Sequence, residues 1–281
     1  MTRLKEVFAI ANNKGGVGKT TTAQNVAAGL ARIHHVRVLV IDLDAQGNIS
    51  YLLGWDRLTA EQQHMPTVYD ALRGASSLPV YASMDSEGKQ REGIYYVPAS
   101  KYLETVDNDL HHHMNAKMVL AKCFARPLAY QHGCDLQEMS IMEAFDYIII
   151  DCPPAMNEVT YNALGVATGL LIPLQLEGMS IQGLADMIVT YKRVKEDLNP
   201  NIELTGLLKV MTTDRLNTAK GFCNILDQQF GDKVFKAHVR RSDQINQAQT
   251  LRKDIFEYKM WGNAGNDYRD VVNEIVERTN E

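Results

Sequence analysis

The sequence predicts an α/β protein: a doubly wound, mostly parallel β-sheet flanked by helices on both faces. Three observations predict it. Short apolar runs alternate with longer amphipathic stretches along the chain. The runs are rich in Val and Ile and often lack polar alternation. A glycine-rich loop joins the first run directly to the first helical stretch. Continuous apolar runs suit strands covered on both sides. Strand–helix–strand succession implies crossovers, and crossovers make parallel sheets.

The predicted strands are Val7–Ala11, Val36–Ile41, Ile94–Val97, Tyr147–Ile150, Gly169–Leu174, Leu204–Met211 and Val234–Val239. The predicted helical stretches are Thr20–Ile33, Ala99–Ala129, Glu158–Ala167, Ile181–Leu198, Thr218–Phe230 and Asp267–Arg278. Ser76–Gly93 is polar and contains Gly, Ser, Pro79 and a charged Asp85–Glu92 stretch, so it reads as a surface excursion or hairpin within a less regular region around 56–93. Gln131–Cys134 reads as a second break. No repeat or low-complexity tract divides the chain, and residues 1–281 read as one domain.

With 281 residues, 45% of them hydrophobic, the chain can bury one sizeable core. Its net charge of -5 excludes a uniformly basic nucleic-acid binder, so any DNA contact must come from a local basic patch. Cys123, Cys134, Cys152 and Cys223 show no C-x-x-C spacing and read as reduced thiols of a cytosolic protein. The N-terminal apolar run is too short for a signal peptide, and no apolar run reaches membrane-spanning length. His111, His112 and His113 are adjacent, so they cannot converge on one metal, and they read as a solvated helix face.

After the first predicted strand comes Asn13-Lys14-Gly15-Gly16-Val17-Gly18-Lys19-Thr20-Thr21, then a helix. A loop that cradles phosphates needs glycines so that backbone N–H groups can turn inward. It needs a helix N-terminus whose unpaired N–H groups and dipole favour anions, a lysine for the outer phosphates and a hydroxyl for Mg²⁺. Gly15, Gly16, Gly18, Lys19 and Thr20 fill those roles, with Thr21 as the next hydroxyl. The loop therefore predicts ATP and Mg²⁺ as ligands. Asn13 stands where the common pattern has glycine, and Lys14 is an additional lysine. This K-G-G-x-G-K-T-T variant resembles the deviant Walker A family, which includes ParA partition ATPases, MinD and the nitrogenase iron protein.

Five further segments extend the resemblance. Asp42-Leu-Asp44-Ala-Gln46-Gly47-Asn48 is similar to the ParA signature D-x-D-x-Q-G-N. The family implies that Asp44 orients or activates the attacking water, that Asp42 supports the Mg²⁺ shell, and that Gln46–Asn48 senses the γ-phosphate. Asp151-Cys-Pro153-Pro154 ends a run of apolar residues and resembles the family's Walker B element, which places Asp151 on Mg²⁺. Leu171-Ile-Pro173 to Glu177, Gly206 to Met211, and Val97-Pro98-Ala99-Ser100 also match family segments. Glu177 is expected to touch the nucleotide or a partner subunit, and Met211 borders the expected adenine pocket. Thr213 stands where the family often has aspartate.

The ATP site does not separate the family's branches. An iron–sulfur reductase needs cluster cysteines, and Cys123 and Cys134 lie in no such motif. A MinD-type protein ends in a basic amphipathic helix, whereas residues 266–281 are acidic here. From Lys233 to Lys253 there are six Lys/Arg and one acid, a local balance of +5. The resemblance assigns Lys236, Arg240 and Arg241 to nonspecific DNA phosphates. It further implies an ATP-bound homodimer with Lys14 reaching the other subunit's phosphates. A ParB-like adaptor would stimulate slow hydrolysis, and the protein would sit in the cytoplasm on the nucleoid, without membrane insertion. No DNA-binding extension precedes Val7, so sequence-specific repression is not expected. The alternative is a MinD-like or cargo-positioning switch on a membrane surface or protein scaffold, without DNA.

Overall fold

A computed structural model describes residues 4–280 apart from 114, 129, 134, 135, 137, 138, 177–179 and 214–216. One nine-stranded sheet runs through the chain. Its strands are β1 (Glu6–Ile10), β2 (Val38–Asp42), β3 (Pro79–Met84), β4 (Gln90–Val97), β5 (Tyr130–His132), β6 (Tyr147–Asp151), β7 (Gly169–Leu174), β8 (Glu203–Thr212) and β9 (Val234–Arg240). Their order is β5-β3-β4-β2-β6-β1-β7-β8-β9. From β4 to β9 every pairing is parallel. Only β3 runs against β4, and β5 runs with β3.

The lack of polar alternation has the expected cause. Val7, Ala9, Leu39, Ile41, Ile148 and Ile150 pack under one face, while Phe8, Ile10, Val38, Val40, Tyr147 and Ile149 pack under the other. Successive side chains point to opposite faces, and helices cover both. The helix Lys19–His34 lies on the second face, against the helix Asn263–Asn280.

Two expectations need correction. Residues 56–93 are not merely a surface excursion. Helices Arg57–Gln62 and Val68–Gly74 precede β3, and Val68, Leu72, Leu78, Val80 and Tyr81 are buried. The hairpin itself is present: β3 and β4 turn through Asp85–Lys89, where the Asp85 carboxylate accepts from the Glu87 and Lys89 amides. Ala99–Ala129 is not one helix either. It breaks into short turns at Lys101–Glu104, Val106–Leu110, Ala116–Met118 and Val119–Phe124. Their buried Leu103, Val106, Leu110, Val119, Leu120 and Cys123 cap the first core layer. His111–His113 follow the second of these turns, with His111 and His112 exposed and His113 bonded to the Arg73 carbonyl. Within the predicted break, β5 pairs with β3.

Arg91 stitches the hairpin to the body. Its side chain is 3% exposed and ion-pairs with Glu257 at 2.8 Å. It also donates to the carbonyls of Leu52, Met84 and Arg252. Glu257 additionally meets Arg32, which also pairs with Asp254.

Candidate nucleotide site

β1 is central in the sheet, with β6 on one side and β7 on the other, so the chain leaves it at a topological switch point. Ligands bind at such a crevice beyond the carboxyl ends of the strands. The glycine loop occupies this position. Gly16 and Gly18 have φ of +73° and +76°, a backbone that L side chains rarely adopt. At Gly15 and Gly16 an added Cβ would meet nothing within 4 Å, so the loop's concave side is open. Gly18 caps the helix Lys19–His34 without any side-chain cap, which leaves the first amides available.

The loop is held from behind. Asn12 donates to the Pro173 carbonyl at 2.8 Å and accepts from the Lys14 amide at 3.0 Å, while Gln175 donates to the Gly16 carbonyl. Lys19 is 6% exposed and arches back, its Nζ donating to the Asn12 and Lys14 carbonyls at 3.1 Å each. Burial lowers its pKa, and nearby Asp151, Cys152 and Asp44 partly offset that.

The aspartates converge on the same point but in different states. Asp42 and Asp151 are register partners across β2 and β6, and each is 1% exposed. Asp42 is fully engaged. One oxygen accepts from the Ser50 amide at 3.0 Å and from its hydroxyl at 2.5 Å, and the other accepts from the Asp44 amide. Burial still pushes Asp42 up to about 7, against the pull of Ser50. Asp44 accepts from the Gln46 amide at 3.0 Å and so shapes the turn into Gly47. Neither oxygen of Asp151 has a well-formed hydrogen bond. Burial first and Asp42 second raise its pKa well above the carboxylate range, although the Thr20 hydroxyl is near enough to favour the ionised form. A buried carboxylate with two open oxygens beside a lysine and a threonine fits a divalent cation better than it fits an empty core.

Beside Gly18 and Thr21 lies a cavity of about 130 Å³, lined by Val210, Met211, Arg241, Ser242, Ile245 and Tyr268 among others. It is mainly apolar, as a planar base requires. Thr213 is exposed outside that lining, and Glu177 falls outside the described residues.

Sequence reasoning missed Asn12, Ser50, Gln175 and Gln249. Ser50 links Asp42 to the V-P-A-S segment by accepting from the Ala99 amide at 2.9 Å, and Gln249 donates to the Thr21 hydroxyl at 3.0 Å. Asn48 ends the recognised signature and Ser50 follows two residues later, so proximity was the one available signal. The predicted DNA residues are placed unevenly. Lys236 and Arg241 are exposed, but Arg240 is paired with Asp267 of the last helix at 2.5 Å. Cys123, Cys152 and Cys223 are free thiols, and Cys134 lies outside the described residues.

A family described as an AAA domain matches residues 5–204. The chromosome partitioning protein ParA of Caulobacter vibrioides is 33% identical over 272 residues, covering 97% of this chain and 94% of that protein. The chain belongs to the ParA family of P-loop ATPases. Another ParA-family relative, the chromosome-partitioning ATPase Soj of Thermus thermophilus, is 33% identical over 98% of this chain and 96% of its own length. The fold is shared more widely. Cobyrinic acid a,c-diamide synthase from Mycobacterium smegmatis, solved with an ATP analogue and magnesium, superposes with a TM-score of 0.73 at 24% identity, covering 97% of this chain and 94% of the other. Among the described residues no helix is long and apolar enough to cross a membrane.

Proposed function

We propose that this ParA-family ATPase is a DNA-partition switch that closes into a dimer around Mg-ATP, holds nonspecific DNA, and lets go when a partner stimulates hydrolysis. The observation that carries the reading is the convergence of Lys19, Thr20, Asp44 and the buried Asp151 beside the glycine loop. The triphosphate lies along the amides of Gly15–Thr21. Lys19 gives up its two carbonyl contacts for phosphate oxygens, which are stronger, charge-assisted acceptors. Thr20 and Asp151 would hold magnesium, which would supply positive charge against the outer phosphates. Asp42, with both oxygens engaged, positions Ser50 and the turn that follows Asp44. Asp44 accepts the proton of the attacking water. The base enters the cavity beside Met211, and Arg241 and Ser242 lie at its edge.

Lys14 is half-buried at the loop's start and reaches the γ-phosphate of the second subunit, so closure depends on that phosphate. Hydrolysis removes the charge that Lys14 reads. Turnover is slow without an adaptor, because the site holds no arginine finger of its own. The test is light scattering with a non-hydrolysable ATP analogue and magnesium. The wild type becomes a dimer and Lys14→Ala stays monomeric while still binding nucleotide. A Lys14→Ala variant that dimerises normally sinks the scheme.

A further inference from the structure

The chain has two tryptophans in opposite situations. Trp55 is 7% exposed and meets Tyr81 and Tyr96 edge-on, whereas Trp261 is 77% exposed. Tryptophan is enriched at contact surfaces, where one end of the ring system is apolar and the other wet. The turn that displays it is tightly packed. A Cβ at Gly262 would stand 2.6 Å from the Gln244 side chain, and one at Gly265 would stand 2.4 Å from the Met260 carbonyl. Only glycines allow this close approach between the helices Ile255–Lys259 and Asn263–Asn280.

The surroundings of Trp261 are cationic. The Arg269 guanidinium lies 4.2 Å from the indole centroid. Its hydrogen bonds go to the Asn266 side chain at 2.8 Å and the Met260 carbonyl at 3.2 Å, both neutral. Lys259 is exposed, and its stem packs beside Gly262. Three nearby acids are paired elsewhere. Asp254 and Glu257 serve Arg32 and Arg91, and Asp267 serves Arg240. Asp270 lines the separate groove along β9. Among the described residues no acid forms an ion pair with Lys259 or Arg269, so a molecule of net charge -5 presents two cations around one projecting ring.

We infer that Trp261, flanked by Lys259 and Arg269, is the contact surface for duplex DNA. The inference rests on the DNA reading above and moves its centre away from Arg240, whose charge Asp267 already answers. Lys259 and Arg269 take phosphates, and the indole packs into a groove against sugar and base edges, a contact indifferent to sequence. A lipid surface fits less well, because the apolar element is one ring rather than the long face of an amphipathic helix.

The test uses the full chain loaded with a non-hydrolysable ATP analogue and a labelled random-sequence duplex. Trp261→Ala weakens binding roughly tenfold while melting at the wild-type temperature. Arg269→Gln lowers the slope of log affinity against log salt by about 1. In the wild type, duplex quenches the exposed component of tryptophan emission, and Trp261→Phe removes that response. Wild-type affinity and salt slope in both variants would overturn the inference and leave the DNA reading standing. No nucleotide-dependent DNA binding by the wild type overturns both. Retention on phosphatidylglycerol vesicles that Trp261→Ala abolishes, with duplex affinity unchanged, overturns it in favour of a membrane contact.

Discussion

Replacing Asp151 with Asn should make the metal-free protein more stable and the enzyme inactive. Asp151 is 1% exposed, and neither carboxylate oxygen has a well-formed hydrogen bond. A buried acceptor left unmade costs about 1–3 kcal/mol, and a charged one more. Asn has nearly the same shape, carries no charge, and can donate toward Asp42 on the neighbouring strand. The expected gain at pH 8 is about 2 kcal/mol, which for a chain of this size is roughly 4–8 °C in melting temperature. The pH sign follows from the raised pKa of Asp151. A raised folded-state value favours the fold while the carboxyl is protonated, and that advantage disappears as pH rises through the folded value. The gap between variant and wild type therefore closes as pH falls toward the ordinary carboxylate range, about 4. The assay is thermal melting in chelator from pH 8 downward, repeated with Mg-ATP. The nucleotide should raise the wild-type midpoint and leave the variant nearly unmoved. A variant that melts at or below wild type in chelator at pH 8 would refute the claim that Asp151 is held poised for a cation.

Two further outcomes test the scaffold around the site. Burial pushes Glu6 up from 4.5 to about 7, so wild-type stability should fall as pH rises from 4.5 to 7. Glu6→Gln should flatten that slope and add about 1–2 kcal/mol at pH 8, after discounting for partial exposure; parallel urea curves with equal slopes and no gain would contradict it. Arg91→Met removes one of the two arginines that meet Glu257 and strands three carbonyls, and should lower urea stability by about 2–4 kcal/mol. A loss under 1 kcal/mol would show that the hairpin is not tied to the body through this side chain.

The chemistry was legible where it is local in sequence. Gly15–Thr21, Asp42–Asn48 and Asp151–Pro154 each announce a strand end, a turn and a charge within a few residues. The seven parallel strands were legible because burial on both faces removes polar alternation. Partners brought together by the fold were not. Pro79 and the polar hairpin disguise β3, whose pairing with β4 and the short β5 is set by tertiary contacts. The region 99–129 has helical composition, but its buried residues reach the core from separate short turns. Counting charge along Lys233–Lys253 made Arg240 look available, because Asp267 approaches it from another helix. The opposite fates of Trp55 and Trp261 likewise depend on packing that composition does not encode.

The placement of β1 also governs when the site can exist during synthesis. Val7 pairs with Ile148 and Phe8 with Gly169, so the first strand to emerge from the ribosome waits for neighbours made much later. Until Tyr147–Asp151 has been translated, β1 has no neighbour on either side and Lys19 has no Asp151 beside it, and until Gly169 follows, one edge of β1 stays open. Such distant pairing slows folding and leaves an apolar strand unpaired in the nascent chain. Truncated products ending before β7 should therefore be sticky and unable to grip nucleotide.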